Sequence, residues 1–265
     1  MYLLSLFLPA FTALFCRSSR DYKAKRDHII KLMNSKAMAS WSGGKDSCLA
    51  LWRAQKLGIN ITHLLTALDE SGLKTRSHGV SKALILAQGE ALGIHNEFIT
   101  ASWQNYERDF ISKLQQIHAE GVTQAIFGDI DLIPHREWEE KVCASANMTA
   151  LLPLWNENRL SLVNEFLNAG FKARVTCVDG RFLDESFVGV EFDAQFITNL
   201  PEGVDACGEN GEFHTFVYDG PNFSQPIRWR SLGKQKYVSP PEYGQVNYYF
   251  DLLDTDQISP TKTSD

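Results

Sequence analysis

Ser42-Gly43-Gly44-Lys45-Asp46-Ser47 sets two hydroxyls, two glycines, a lysine and a carboxylate in consecutive positions. Glycines let a backbone approach an anion closely, and hydroxyls donate hydrogen bonds to it. Lysine supplies a point charge suited to phosphate. Asp46 is out of place in a site that only holds anions. It fits Mg²⁺ held beside phosphates, or a negative charge at the start of a helix. Farther along, Gly208-Glu209-Asn210-Gly211-Glu212-Phe213-His214-Thr215 gathers two carboxylates, an amide, an imidazole and a hydroxyl. Such a density of polar groups is costly to bury unless the groups are partnered or used. Glu209 and Glu212 suit an ammonium ion or a cationic substrate, and His214 suits proton transfer near neutral pH. A polar turn between strands is the plainer alternative.

Two more segments carry candidate groups. In Lys74-Thr75-Arg76-Ser77-His78-Gly79, Arg76 and His78 suit phosphates or adenine, or form a solvated loop ahead of a helix. Gly128-Asp129-Ile130 ends an apolar run, where the Asp129 carboxylate suits a metal or a substrate. Arg136 and Glu140 follow, four residues apart; that spacing alone favours an ordinary surface ion pair.

The elements that must position these groups alternate. A short extended run, 38–42, leads through the glycines into a helical run that closes at Gly58. Strand character follows at 61–68 and near Phe98-Ile99, then at 122–130 and 151–155. Helical spacing marks 80–92, 103–120 and 136–146. This order predicts a Rossmann-like α/β parallel sheet covered on both faces, with its ligand at the carboxyl ends of the strands. The loops after residues 42, 68 and 128 should therefore share one cleft. Beyond Trp155 the alternation weakens. A helix over 160–169 and a strand over 172–178 predict a smaller α+β domain, and the alternating stretch 246–252 predicts an added edge strand. The expected divisions are an extension over 1–37, a nucleotide domain over 38–150, a cap over 151–223 and a C-terminal extension over 224–265.

The first loop lacks the spacing and the hydroxyl after lysine of a Walker A sequence. It resembles instead the pyrophosphate loop of the N-type ATP pyrophosphatases, which split ATP between its α- and β-phosphates. Four features together resemble the diphthine–ammonia ligase family over about residues 38–223: this loop, Gly-Asp-Ile followed by Arg136 and by Glu140-x-x-Cys143, Pro153-Leu154-Trp155, and the Cys207–Thr215 segment. The resemblance implies an adenine nucleotide alpha hydrolase-like domain completed by a small second domain. It implies an AMP-forming acid–ammonia ligase that uses ATP and Mg²⁺. The carried-over ATP-binding residues are Ser42, Gly43, Gly44, Lys45, Asp46, Ser47, His78 and Gly128, with Asp46 also a Mg²⁺ ligand. Asp46, Asp129, Glu209, Glu212 and His214 become catalytic candidates, and Arg136, Glu140, Asn210 and Thr215 substrate contacts. The partners implied are ATP, ammonium and a carboxylate-bearing substrate, which is diphthine on elongation factor 2 where the source makes diphthamide. Eukaryotic members carry further domains, so this chain reads as a short form. A family member acting on another acceptor, a regulatory ATP-binding module without turnover, and sulfur transfer to tRNA are the competing readings.

Composition narrows these. The 265 residues carry 26 Lys and Arg against 32 Asp and Glu, a formal charge of −6. That balance gives no global reason to bind nucleic acid. The five cysteines include no C-x-x-C pair, which argues against sulfur transfer and fits a reducing, cytoplasmic setting. Tyr2 to Cys16 is almost wholly apolar, but it is short for a membrane span, is interrupted by Pro9, and precedes its basic residues rather than following them. A stable anchor is not expected. Translation from Met33 or Met38 is the preferred explanation, against a degenerate anchor or a packed extension. The sequence leaves the oligomeric state open, with a homodimer as one option.

Overall fold

The computed structural model describes residues 35–256 except 77, 101, 103, 242 and 243. The questions raised by residues 1–34 and by the polar C-terminal end lie outside these described residues. Nine strands, six α-helices and one 3₁₀ turn form two sheets among them.

The first sheet is parallel, in the order β3-β2-β1-β4-β5, with β1 Lys36–Ser40, β2 Asn60–Leu68, β3 His95–Thr100, β4 Val122–Ile126 and β5 Thr149–Leu151. Ala37, Met38 and Ala39 are buried at its centre, where helices cover both faces. Between them run α1 Lys45–Lys56, α2 Lys82–Leu92, α3 Tyr106–Ala119 and α4 Ile133–Ser145. Local chemistry sets their ends. Ser81 caps α2 by accepting from the Leu84 N–H, and Gly93 stops it in the left-handed region at φ 68°. Pro134 sits in the first turn of α4. In α3, Phe110, Leu114 and Ile117 form the buried stripe that their spacing predicted.

Element boundaries differ from expectation in several places, three of them beside the loops that carry candidate groups. β4 stops at Ile126 rather than at residue 130, because Gly128 leaves the strand to meet the glycine loop. β5 lies at 149–151 rather than 151–155, and Pro153 falls after it in a turn. α4 begins at Ile133, three residues before Arg136.

The second sheet is antiparallel, in the order β7-β6-β9-β8, with β6 Lys172–Asp179, β7 Phe213–Asp219, β8 Trp229–Val238 and β9 Asn247–Thr255. The expected edge strand near 246–252 is β9, and it is an inner strand. β8, which sequence reading missed, takes the edge and is exposed over most of its length. α5 Arg159–Asn168 and α6 Ala194–Asn199 flank this sheet. Its core is aromatic. Phe166 stacks on Phe171 at 4.8 Å, and Phe213 meets Phe196 edge-to-face at 5.1 Å. The buried cluster runs on from these rings to Leu49 and Leu51 of α1 and to Ala37 of β1, so the two sheets share one core.

This packing gives a direct test. Phe166→Ala should cost about 3–5 kcal/mol in urea denaturation, whereas Leu232→Ser on exposed β8 should change stability by less than about 0.5 kcal/mol.

Candidate active site

The strand order changes direction between β1 and β4, so a crevice opens at their carboxyl ends. The loop leaving β1 there is Ser42–Ser47. Gly43 takes φ 78°, and a Cβ on it would lie 2.6 Å from the Gln88 Oε1. Only glycine allows both the backbone angle and the contact. The loop then enters α1, with Ser42 Oγ accepting from the Gly44 N–H at 3.2 Å and Ser47 Oγ donating to the Gly44 carbonyl at 3.0 Å. Lys45 is buried, and its Nζ lies 2.7–2.8 Å from both oxygens of Asp46. Burial alone would lower its pKa; the adjoining Asp46 carboxylate, Cys207 and Glu209 together more than offset this and hold it above the usual value.

The opposite wall comes from the C-terminal half. Thr215 Oγ1 accepts from the Lys45 N–H at 3.0 Å, and the Val217 N–H donates to the Gly43 carbonyl at 2.9 Å. Gln88, fully buried on α2, accepts from the Trp41 indole at 2.8 Å and donates to the carbonyls of Gly43 and Val217 at 3.0 and 2.7 Å. Below, the Gly128 backbone lies so near α1 that a Cβ there would sit 2.9 Å from the Ser47 nitrogen.

Two adjoining cavities result. A polar one of about 620 Å³ is lined by Ser42, Lys45, Asp46, Ser47, His78, Gly128, Asp129, Glu209, Asn210, His214 and Thr215. Four segments far apart in sequence therefore meet in one place. The second, of about 510 Å³, is walled by Trp41, Tyr106, Phe110, Phe127 and Trp138, with Arg76 and Glu139. Ser40, Ser42, His78, Asp129 and His135 line both.

Gly43 and Gly44 shape the loop. Glu212 is elsewhere: its carboxylate is buried and accepts from the Asn210 N–H and Asn210 Nδ2, each at 2.9 Å, so it braces its own loop. Arg136 and Glu140 form a half-exposed pair at 2.7 Å, with Arg136 over Trp155, and neither lines a cavity. Their i,i+4 spacing produces the ion pair that it suggested.

The imidazoles of His78 and His214 lie 4.5 Å apart, centre to centre. Burial lowers both pKa values, and for His214 the neighbouring His78 and Lys45 charges lower it further, well below the usual histidine range. His78 Nδ1 lies 2.8 Å from the Thr215 carbonyl and so must carry the proton. A neutral His214 can accept a proton but does not start with a spare one. Glu209 is pushed up to about 8 by burial and by the Asp46 and Asp129 charges, against the pull of Lys45. Glu139 goes up to about 10, from burial first and then from its hydrogen bond with Asp129.

Sequence reasoning missed Gln88, Glu139 and Arg159. Arg159 grips Asp131 through two bonds of 2.6 and 2.7 Å and Asp205 at 2.7 Å, while Asp205 accepts from the Glu209 N–H at 3.1 Å. It thus ties the loop after β4 to the acidic loop. No local signal separates Glu139 from exposed Glu137 and Glu140 beside it.

Two family models match the chain: the diphthamide synthase N-terminal domain over residues 35–150, and the diphthamide synthase C-terminal domain over residues 158–240. A diphthine–ammonia ligase of Danio rerio is 26% identical over 224 residues, covering 70% of this chain and 83% of that protein. The one of Homo sapiens is 26% identical over 218 residues, covering 70% and 79%. That of Schizosaccharomyces pombe is 26% identical, covering 72% of this chain but 36% of the longer relative. Among solved structures, one titled as a predicted subunit of tRNA methyltransferase from Methanocaldococcus jannaschii aligns at TM-score 0.40 and 19% identity, covering 70% of this chain and 98% of that one.

The raised Glu139 pKa has a measurable consequence. The folded chain keeps this proton up to about pH 10, whereas an unfolded glutamate releases it near 4.5, so stability from this group falls as pH rises between those values. Glu139→Gln, which is always neutral, should melt several degrees above wild type at pH 8.5. The gap should shrink towards pH 5 in thermal scans, and an equal gap at both pH values would contradict the assignment.

Proposed function

The chain belongs to the diphthamide synthase family, and from that premise we propose that it is an ATP-dependent ligase that activates a carboxylate as its adenylate and amidates it with ammonia. One observation carries this reading most directly. Glu209 and Asn210 of the loop before β7, with His214 and Thr215 on β7, line the same cavity as the Ser42–Ser47 loop and Asp129. An anion-binding loop at a helix N-terminus facing an acid-rich wall suits a triphosphate on one side and a cationic or amine reactant on the other.

In this reading, the triphosphate lies along Ser42–Ser47, where the hydroxyls, the first amides of α1 and Lys45 meet its oxygens. Lys45 would exchange its Asp46 partner for phosphate. The freed Asp46 carboxylate suits Mg²⁺, a hard cation held by one or two carboxylates together with substrate phosphates. When bound, Mg²⁺ would neutralise charge on the departing pyrophosphate. The acceptor carboxylate attacks the α-phosphorus and pyrophosphate leaves; ammonia then attacks the acyl carbon and AMP leaves with the former carboxylate oxygen. No nucleophile on the protein is required. Glu209, titrating near 8, is the group proposed to hold ammonium and take its proton, with neutral His214 nearby as a further acceptor. By analogy with the relatives' name, the acceptor is the diphthine side chain.

Product analysis tests the chemistry: ATP turnover with ammonium and acceptor should yield AMP and pyrophosphate, and ADP with phosphate would refute the class. In the same assay the wild-type rate should climb through about pH 8 as Glu209 ionises. Glu209→Gln should lower kcat by about 10²-fold or more and flatten that limb of the profile.

A further inference from the structure

Arg159 opens α5 and spends three nitrogens on two carboxylates. Nε and Nη2 donate to the two oxygens of Asp131 at 2.7 and 2.6 Å, and Nη1 donates to Asp205 Oδ2 at 2.7 Å. The guanidinium is planar, so these directions are fixed together. Asp205 anchors the acidic loop. Its Oδ1 accepts from the Cys207 N–H and its Oδ2 from the Glu209 N–H, each at 3.1 Å. Glu212 accepts from the Asp205 N–H at 3.3 Å and from the Asn210 N–H at 2.9 Å, which ties the same loop from its other end. None of these bonds within the loop fixes how far Glu209 stands from Asp129. That distance is set from outside, and Asp131 lies two residues beyond Asp129. Just before α5, the Asn156 N–H donates to the Ile130 carbonyl at 2.6 Å, which brings the start of the helix to that loop.

The two gripped loops bring Asp129 and Glu209 to one polar cavity, which Arg159 itself does not line. An ordinary surface ion pair joins two side chains and contributes little. Here a side chain that is 25% exposed joins two segments of the site, one before α5 and one after it. Burial is the main cause of the raised Glu209 pKa; among the weaker influences Asp129 raises it and Arg159 lowers it, so Glu209 senses the groups at both ends of the grip. On the ligase reading above, on which this step rests, we propose that Arg159 is a positioning residue: by holding Asp131 and Asp205 at once, it fixes the gap between the Asp129 and Glu209 loops and so sets the width of the ammonium site. Ammonium is small and needs its acceptors at a fixed spacing. A looser gap weakens its hold more than that of ATP, whose phosphates rest on the Ser42–Ser47 loop.

The test separates the two half-reactions in the full chain. ATP–pyrophosphate exchange with the diphthine acceptor reads adenylation, and amide formation at varied ammonium reads the second step. Arg159→Met and Asp131→Ala should each raise the KM for ammonium by about tenfold or more and leave the exchange rate and the KM for ATP within about twofold. Arg159→Lys keeps the charge but not the two-sided fork and should fall between. The double variant should be no worse than either single one, because each change already opens the same grip. An unchanged KM for ammonium in both single variants, or exchange and amidation falling together in both, overturns this proposal alone. So does a silent Asp131→Ala beside an impaired Arg159→Met, since Arg159 would then only brace the acidic loop. Wild type without exchange overturns it together with the ligase reading. Asp131 is 35% exposed and outside the acidic loop, so Asp131→Ala decides the matter even if Arg159→Met does not fold.

Discussion

Hydrogen bonds between β7 and the glycine loop hold the cleft together. Thr215 meets the first amide of α1 across 170 residues of chain, Val217 meets the Gly43 carbonyl, and Gln88 holds both from α2. Closing so long a loop is entropically expensive, and its cost grows only slowly with length. The shared core beneath offsets it. These bonds are buried, so leaving any one unmade would cost about 1–3 kcal/mol. The glycine loop is therefore fixed from two sides, and the acidic loop that precedes β7 is brought to face it.

That placement creates an electrostatic problem. Asp46, Asp129, Glu139 and Glu209 crowd around a cleft suited to a polyanion, with Lys45 already committed to Asp46. The chain resolves it in three ways. Glu139 stays protonated, Glu209 sits near the midpoint of its titration around pH 8, and Glu212 is turned inward onto Asn210. Arg159 adds a clamp between Asp131 and Asp205 that keeps the two acidic loops in register.

Much of the first half was legible because its signals are local. Strand, glycine turn and helix succeed one another within a few residues, and the stripe of Phe110, Leu114 and Ile117 reports its own helix. The resemblance drawn from Ser42–Ser47 and Cys207–Thr215 pointed to the family that the matches over 35–150 and 158–240 establish. The second sheet was harder to read. β8 is exposed along its length and carries little alternation, and the inner position of β9 depends on pairing with β6 about 70 residues away.

The sequence by itself determined which chemical groups were available, the alternating architecture of the nucleotide half and the meeting of three loops at one sheet edge. These follow from short-range patterns and from the rule that parallel strands present their carboxyl ends together. Tertiary structure alone decided which of those groups turn into the cleft. It sent Glu212 into its own loop and left Arg136 and Glu140 on the surface. It drew in Gln88, Arg159 and Glu139, which look ordinary in the chain. The reason is physical: a carboxylate's role depends on its burial and on which charges approach it, and both are set by contacts between residues distant in sequence.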